Sequence, residues 1–592
     1  MVFIVLSNYF RILAPQVTKY VLNTVEIALK KEMTPADKAI RANYDPIVQS
    51  LFVDKLEAPG VTFKKRILYS GIILLALAIV SGFFMFLMRQ TIIVMSRHIE
   101  YEQKNEIYNH YQVLDTNFYR THNTGDLMSR ISEDVSRVRM YTGPAVMYVI
   151  NLAATIGFAV SYMFHENVEL TFYVLSPLPI LAVTIYYVNT IIHRKSDKIQ
   201  SLLSDLTTNA QESYSGIRVI KSFGQEKAML GFFEKNSQAY RSNAISLAKT
   251  EAFFFPSMGL MIGISTLLTI MIGGLYVIEG SINIGVIGEF VMYILMLTFP
   301  VMAIGWTASM IQRAATSQGR RNEFLDAGSQ IQSPSSPEKV VLKGDIEFRN
   351  VNFTYPHTGI HAINDFSLSV KKGDKIAIIG KTGSGKTTIA QLLLRMYDPQ
   401  EGSILYDGSN IKDIDLEVLR SQISYVPQDV FLFSDTVKNN IAFALPGADD
   451  EMVKEAAVKA VIAREIEAFP KQFATMIGER GVTLSGGQKQ RISIARALLK
   501  DHPIVIFDDC LSAVDAKTEK EILGNLTGFL EKKTAVIITH RIFSLFHFDK
   551  IIVLKDGAIA ESGTHRELLS REGLYAEMYA RQQKQDAAYE PR

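Results

Sequence analysis

The sequence predicts a two-part chain, a membrane all-α domain followed by an α/β domain with a mainly parallel sheet flanked by helices. Two observations carry this. Uncharged apolar runs of twenty or more residues are confined to the first 312 positions. Beyond them, β-rich runs ("KIAIIG", "PIVIFDD", "TAVIIT", "KIIVLKDG") alternate with amphipathic helical segments. Composition excludes other classes. With 62 Lys+Arg against 60 Asp+Glu in 592 residues, no large net charge recruits nucleic acid. The single cysteine, Cys510, forms no internal disulfide and supplies no cysteine metal cluster, as is usual for a cytosol-facing protein.

Five runs, Ile67–Met88, Met140–Phe164, Leu170–Ile192, Ala252–Ile278 and Phe290–Gln312, are each long enough to cross ~30 Å of hydrocarbon at ~1.5 Å per residue. A sixth span is expected over 2–25. Asn8, Arg11 and Lys19 interrupt it, but it lacks the basic start and small-residue cleavage site of a signal peptide. Arg11 is the oddity there, because an arginine within a span faces a cavity or snorkels to the interface.

Loop lengths set the topology. The connections His165–Glu169 and Glu279–Glu289 are short and free of Lys and Arg, whereas Arg89–Arg139 and His193–Glu251 are long, polar and rich in both. The positive-inside rule places the long pair in the cytoplasm. Folded as helical hairpins with arms of ~25 residues, they reach roughly 37 Å beyond the bilayer. The first loop, Glu26–Arg66, fits the rule poorly, since it carries eight basic residues and lies outside. A Ser/Pro/Gln linker, "GSQIQSPSSPE", then separates a transmembrane domain (1–327) from a second domain (340–592), with the linker spanning 328–339.

The second domain carries the chemistry. "GKTGSGKT" comprises Gly380, Lys381, Thr382, Gly383, Ser384, Gly385, Lys386 and Thr387, and Thr388 follows; it lies between a strand and a helix and matches a phosphate-binding P-loop. Glycines let backbone N–H groups curl around phosphate oxygens, Lys386 reaches the β and γ phosphates of ATP, and Thr387 ligates Mg²⁺. The strand "PIVIFDD" ends in Asp508, the carboxylate that would hold Mg²⁺ through water. These features make the domain an α/β P-loop NTPase.

Between the two lies "LSGGQKQRISIARAL", Leu484–Leu498. This stretch resembles the signature of the ATP-binding cassette (ABC) transporters, and the six spans followed by one nucleotide-binding domain resemble an exporter-type half-transporter of the multidrug or lipid exporters. The resemblance implies that Ser485, Gly486, Gly487 and Gln488 contact ATP held by the other subunit, at the positive end of a helix dipole. It likewise implies that Tyr355 stacks on adenine, Gln428 senses Mg²⁺ and the attacking water, and His540 stabilises the γ-phosphate. "GERG" (Gly478–Gly481) would touch the partner's cytoplasmic loops, and Asp515 would lie in the loop crossing to the opposite ATP site. The stretches Gly125–Arg139 and Glu212–Glu226 resemble those around coupling helices.

The chain departs from the family at Asp509, where glutamate usually orients the attacking water as general base. Aspartate is shorter by about 1.5 Å, and misplacement by ~1 Å costs ~10²-fold in rate. Two arrangements follow: a heterodimer in which Asp509 marks the slow site while the intact signature completes the partner's fast site, or a homodimer in which both sites carry aspartate. The resemblance favours the heterodimer. The expected function is ATP-driven export of a small amphipathic molecule or lipid by a dimer of half-transporters in a lipid membrane, with the ABC domain in the bacterial cytoplasm. The alternatives are a metal-chelate importer of the same architecture and a catalytically weak regulatory subunit.

Overall fold

The computed structural model describes residues 1–29, 43–338, 340–478, 481–542 and 547–589, without the side chains of 254, 255 and 585–589. Part of the first external loop (30–42), Lys339 of the linker, Glu479 and Arg480 of "GERG", and the Phe254 and Phe255 side chains lie outside the described residues. The chain forms two compact units, one of residues 1–109 and 127–326 and the other of 110–126 and 327–592.

In the first unit the apolar runs lie on six helices, and several of these extend far beyond the run they carry. These are α3 (Phe63–Val113), α5 (Val146–Glu166), α6 (Val168–Leu175), α7 (Pro177–Ser215), α9 (Glu226–Ile278) and α10 (Ile284–Leu325). The 51 residues of α3 and 53 of α9 give lengths near 75–80 Å at ~1.5 Å per residue, more than twice the ~30 Å of hydrocarbon. A helix satisfies its own backbone hydrogen bonds, so it can run from lipid into water without interruption. Boundaries follow local chemistry. The Asn167 side chain caps α6 by accepting from Leu170 N at 2.8 Å, Pro177 starts α7 where a missing N–H costs nothing, and Gly224, at φ +63°, ends α8 (Ile217–Phe223).

Among the described residues, five helical stretches are long and apolar enough to cross a membrane. The expected sixth, over 2–25, is instead two helices, α1 (Val2–Ile12) and α2 (Ala14–Leu29). Pro15 explains the break, since it has no N–H to return to the carbonyl one turn back. Lengths of 11 and 16 residues leave each helix at roughly 16–24 Å, short of a full crossing on its own. A second correction concerns Glu289, expected at the end of a loop. It lies inside α10, and the connection is only 279–283.

The charged residue that matters in this region is Lys19, not Arg11. Arg11 is exposed, whereas Lys19 is fully buried, with Nζ 2.5 Å from Glu166 Oε1, 2.9 Å from Glu289 Oε2 and 2.6 Å from Asn43 O. Tyr293 donates to Glu289 Oε1 at 2.8 Å. Asp45, just beyond Asn43, accepts from Tyr9 and Tyr162 at 2.9 and 2.5 Å. One ammonium thereby ties α2, α5 and α10 together. Gly285 permits the close approach: a Cβ there would stand 2.5 Å from Lys19 O, and its N–H donates to Asn23 Oδ1 at 2.8 Å.

The second unit holds two sheets. One is antiparallel, β2-β1-β4-β5, from β1 (Ile346–Thr354), β2 (His361–Val370), β4 (Glu401–Tyr406) and β5 (Ser409–Asn410). The other, β10-β9-β3-β8-β7-β6, uses β3 (Lys375–Gly380), β6 (Ile423–Val426), β7 (Ile504–Asp508), β8 (Thr534–Thr539), β9 (Lys550–Lys555) and β10 (Ala558–Gly563), and is parallel except for β9–β10. The continuous apolar runs have a simple cause. Ile376, Ile378, Ile504, Ile506, Val536 and Ile538 enter one core, while their neighbours Val505, Phe507, Ala535 and Ile537 enter another on the opposite face.

Replacing Lys19 by Met leaves two buried carboxylates without their cation. A loss of about 3–5 kcal/mol is expected, read as a fall in melting temperature of the detergent-solubilised protein, with a smaller fall when Glu289→Gln accompanies it.

Candidate nucleotide site

The site is assembled at the carboxyl ends of β3, β7 and β8, three neighbouring strands of the parallel sheet. After β3 the chain turns through the glycine-rich loop into α11 (Lys386–Leu393). Gly385 sits at φ +96°, and a Cβ there would come within 2.3 Å of Ala362 O, so the loop can approach β2 only without a side chain. The Lys386 ammonium folds back on the loop, donating to Gly380 O and Lys381 O at 2.9 Å each. Burial lowers its pKa from the ordinary lysine value, and the charges of Asp509 and Asp508 act the other way.

Asp508 ends β7 with no exposed surface. Thr387 Oγ1 donates to its Oδ1 at 3.2 Å, and its Oδ2 and the nearby Ser384 Oγ are buried without a hydrogen-bond partner. Burial pushes the carboxyl up to about 6, Thr387 opposes this, and the charge of Asp509 adds to it. Unpartnered buried oxygens beside a phosphate loop suit a hard cation that keeps most of its ligands as water and phosphate, which is the behaviour of Mg²⁺. Among the described residues no cluster of three His, Cys, Asp or Glu could hold a metal by itself.

Asp509 follows with φ +47°, in the left-handed region that non-glycine residues enter at a cost. Its N–H donates to Ile538 O at 2.8 Å, which fixes the turn. Oδ1 lies 2.8 Å from His540 Nδ1, and Gln428 Nε2 donates to Oδ2 at 3.5 Å. The three residues expected around the attacking water are thus linked through one carboxylate. Tyr355 closes the far end. Its hydroxyl is 2.9 Å from both Thr388 Oγ1 and Gln391 Oε1, and its ring stands edge-on to Phe353 and Tyr397 at 4.9 and 5.5 Å. A cavity of about 460 Å³ joins Tyr355, Thr382, Gly383, Gly385, Lys386, Thr387, Thr388, Gln428, Asp508, Asp509 and His540.

The signature residues do not line this cavity. Ser485 caps α12 (Gly486–Leu499): its Oγ accepts from Gln488 N at 3.3 Å, and its N–H donates to Gln488 Oε1 at 2.9 Å. Gln488 Nε2 then donates to Glu465 Oε2 at 2.9 Å. Asp515 caps α13 (Ala516–Phe529) through Thr518 N at 3.0 Å. Sequence reasoning missed Gln391 and Tyr397, which hold the Tyr355 ring. Gln391 falls on the helix after the P-loop and was readable only as one more helical polar residue.

Without metal, a raised carboxyl pKa means that the folded state binds more protons than the unfolded state between pH ~4 and ~6, so stability from Asp508 falls as pH rises through that window. Asp508→Asn is therefore expected to raise the stability of the metal-free protein at pH 7 by on the order of 2 kcal/mol, with no gain at pH 4, measured by thermal unfolding at both pH values.

Two family models match in the expected order, the ABC transporter transmembrane region over residues 1–301 and the ABC transporter model over residues 363–512. The chain is 38% identical over 539 residues, 90% of its length and 91% of the relative's, to the "Probable multidrug resistance ABC transporter ATP-binding/permease protein YheI" of Bacillus subtilis. It is 32% identical over 588 residues, 97% of its length and 96% of the relative's, to an ATP-dependent lipid A-core flippase of Pseudomonas putida. A bacterial Atm1-family ABC exporter solved with ATP bound superposes with a TM-score of 0.74 at 26% identity, covering 96% of this chain and 97% of that one. Membrane helices fused to a P-loop domain, matched along nearly the whole chain by exporters, make this protein a member of the ABC transporter family, an ATP-hydrolysing half-transporter of the exporter type.

Proposed function

We propose that the protein exports a small amphipathic molecule or lipid across a bacterial cytoplasmic membrane, as one half of a heterodimer in which its own ATP site is the slow one. The substrate class rests on the relatives, which include a probable multidrug resistance transporter and a lipid A-core flippase. The slow site rests on Asp509. Its carboxylate is 2.8 Å from His540 Nδ1, and its stem, one methylene shorter than glutamate's, would reach less far toward a water at the γ-phosphate.

In this reading Tyr355 stacks on adenine and Lys386 with the loop from Gly380 to Gly385 cradles the phosphates, while Thr388 holds the Tyr355 hydroxyl. Thr387, Asp508 and Gln428 would hold Mg²⁺, which when bound would supply charge neutralisation at the phosphates. Asp509 orients the His540 ring through Nδ1, and that leaves Nε2 free to face the γ-phosphate. Ser485, Gly486, Gly487 and Gln488 complete the site of the other subunit, so ATP favours the closed pair of cassettes over the open one. The intact Gln428 and His540 favour one competing arrangement, a homodimer with two aspartate sites.

Mg-ATPase activity of the purified chain in lipid decides between them. The expected result is low turnover alone, a rise of about 10-fold or more with Asp509→Glu, and loss of the remainder with Lys386→Ala. Wild-type turnover that is high alone and unchanged by Asp509→Glu would establish the homodimer.

A further inference from the structure

The chain passes between its two units three times, at 109/110, 126/127 and 326/327. Within the second unit, one carboxylate bonds two of the segments that make these passages. Asp115 follows α3 by two residues and caps α4 (Thr116–Thr121), its Oδ1 accepting from Phe118 N at 3.0 Å. Its Oδ2 faces the linker that leaves α10 and accepts from Gln330 N at 2.6 Å and from Ser329 Oγ at 3.4 Å. Around it, His110 Nε2 lies 3.0 Å from Ala327 O, and Ser333 Oγ accepts from Leu416 N at 3.0 Å. An open space of about 430 Å³ bordered by Leu114, Thr116, Ile331, Met396 and Arg420 adjoins the contact. Hydrogen bonds to a charged acceptor therefore hold the linker in place.

The same short helix reaches toward the nucleotide. Thr116 Oγ1 is 3.6 Å from Met396 Sδ, and the adjoining Tyr397 ring stands edge-on to Tyr355 at 5.5 Å. We propose that Asp115 is a positioning residue for ATP-driven transport: its carboxylate straps the linker after α10 to the start of α4, so that nucleotide binding moves both chain passages as one body. Removing the strap uncouples the membrane unit from ATP without touching the residues that bind or hydrolyse it. The N-cap and the strap are separable. Asp115→Asn keeps an acceptor for Phe118 N but turns an amide N–H₂ toward Gln330 N–H, whereas Asp115→Ala removes both bonds.

The chain supplies its own reporter. Its single tryptophan, Trp306, lies in α10, 46% exposed with its ring 5.1 Å from that of Tyr148. With the purified full-length chain in lipid nanodiscs, Mg-ATPase activity and the change in Trp306 emission on adding ATP would be measured together. The expected result is ATPase within about 3-fold of wild type in both variants, with the emission change reduced about 5-fold or more, the lower end of ordinary coupling strengths. Asp115→Cys paired with Gln330→Cys and joined by a flexible bis-maleimide should restore the response, and the one native cysteine, Cys510, is buried and does not compete. A wild-type emission change in Asp115→Asn, or a tether that restores nothing, overturns the proposal; the first result would reduce Asp115 to a helix cap. If Asp115→Ala fails to fold, Asp115→Asn and the tethered pair decide alone.

Discussion

The nucleotide-binding unit is built around a carboxylate that its own fold does not satisfy. Asp508 has no exposed surface, and one of its oxygens has no hydrogen-bond partner. A buried carboxylate in this state is costly, so what surrounds it must be worth keeping. β7 is buried on both faces and holds the residue rigidly at a strand end, one strand removed from the loop after β3. Thr387 satisfies one oxygen from the first turn of α11. The other stays available for a ligand, which is how a strand end becomes a site.

The membrane unit meets a related constraint with the opposite outcome. Long helices satisfy their own backbone, so their lengths follow from the physics of lipid. Side-chain charge must be matched separately. Lys19 places its ammonium against two carboxylates and a carbonyl oxygen, and the network continues through Tyr293. Here the charges are partnered by residues of the chain itself, and they hold elements together instead of waiting for a ligand.

Asp509 is where the side chains after β7 and β8 meet. Its carboxylate is drawn onto His540 and within reach of Gln428, while the backbone N–H anchors the turn at Ile538 O. Gln428, Asp509 and His540 are therefore joined through the one carboxylate. A longer acid at the same backbone position would have to choose between that contact and a place nearer the phosphate.

The order of the two units, the five long apolar helices, the phosphate loop and the parallel-sheet character of the second unit are all legible in the residues themselves. Each depends on a local signal: an apolar run, a glycine spacing, or a strand with no polar face. Pro15, which interrupts the helical hydrogen bonds within 2–29, is an equally local signal. Only the tertiary structure decided that Lys19 rather than Arg11 is buried, that Gln391 and Tyr397 hold Tyr355, and that the segment 110–126 belongs with the second unit. Those facts join residues up to about 280 positions apart, as Thr116 is from Met396, and no local pattern records which distant side chain will complete a charge or a hydrogen bond. The physical reason is that burial is a property of the assembled chain, while propensity belongs to the residue and its neighbours.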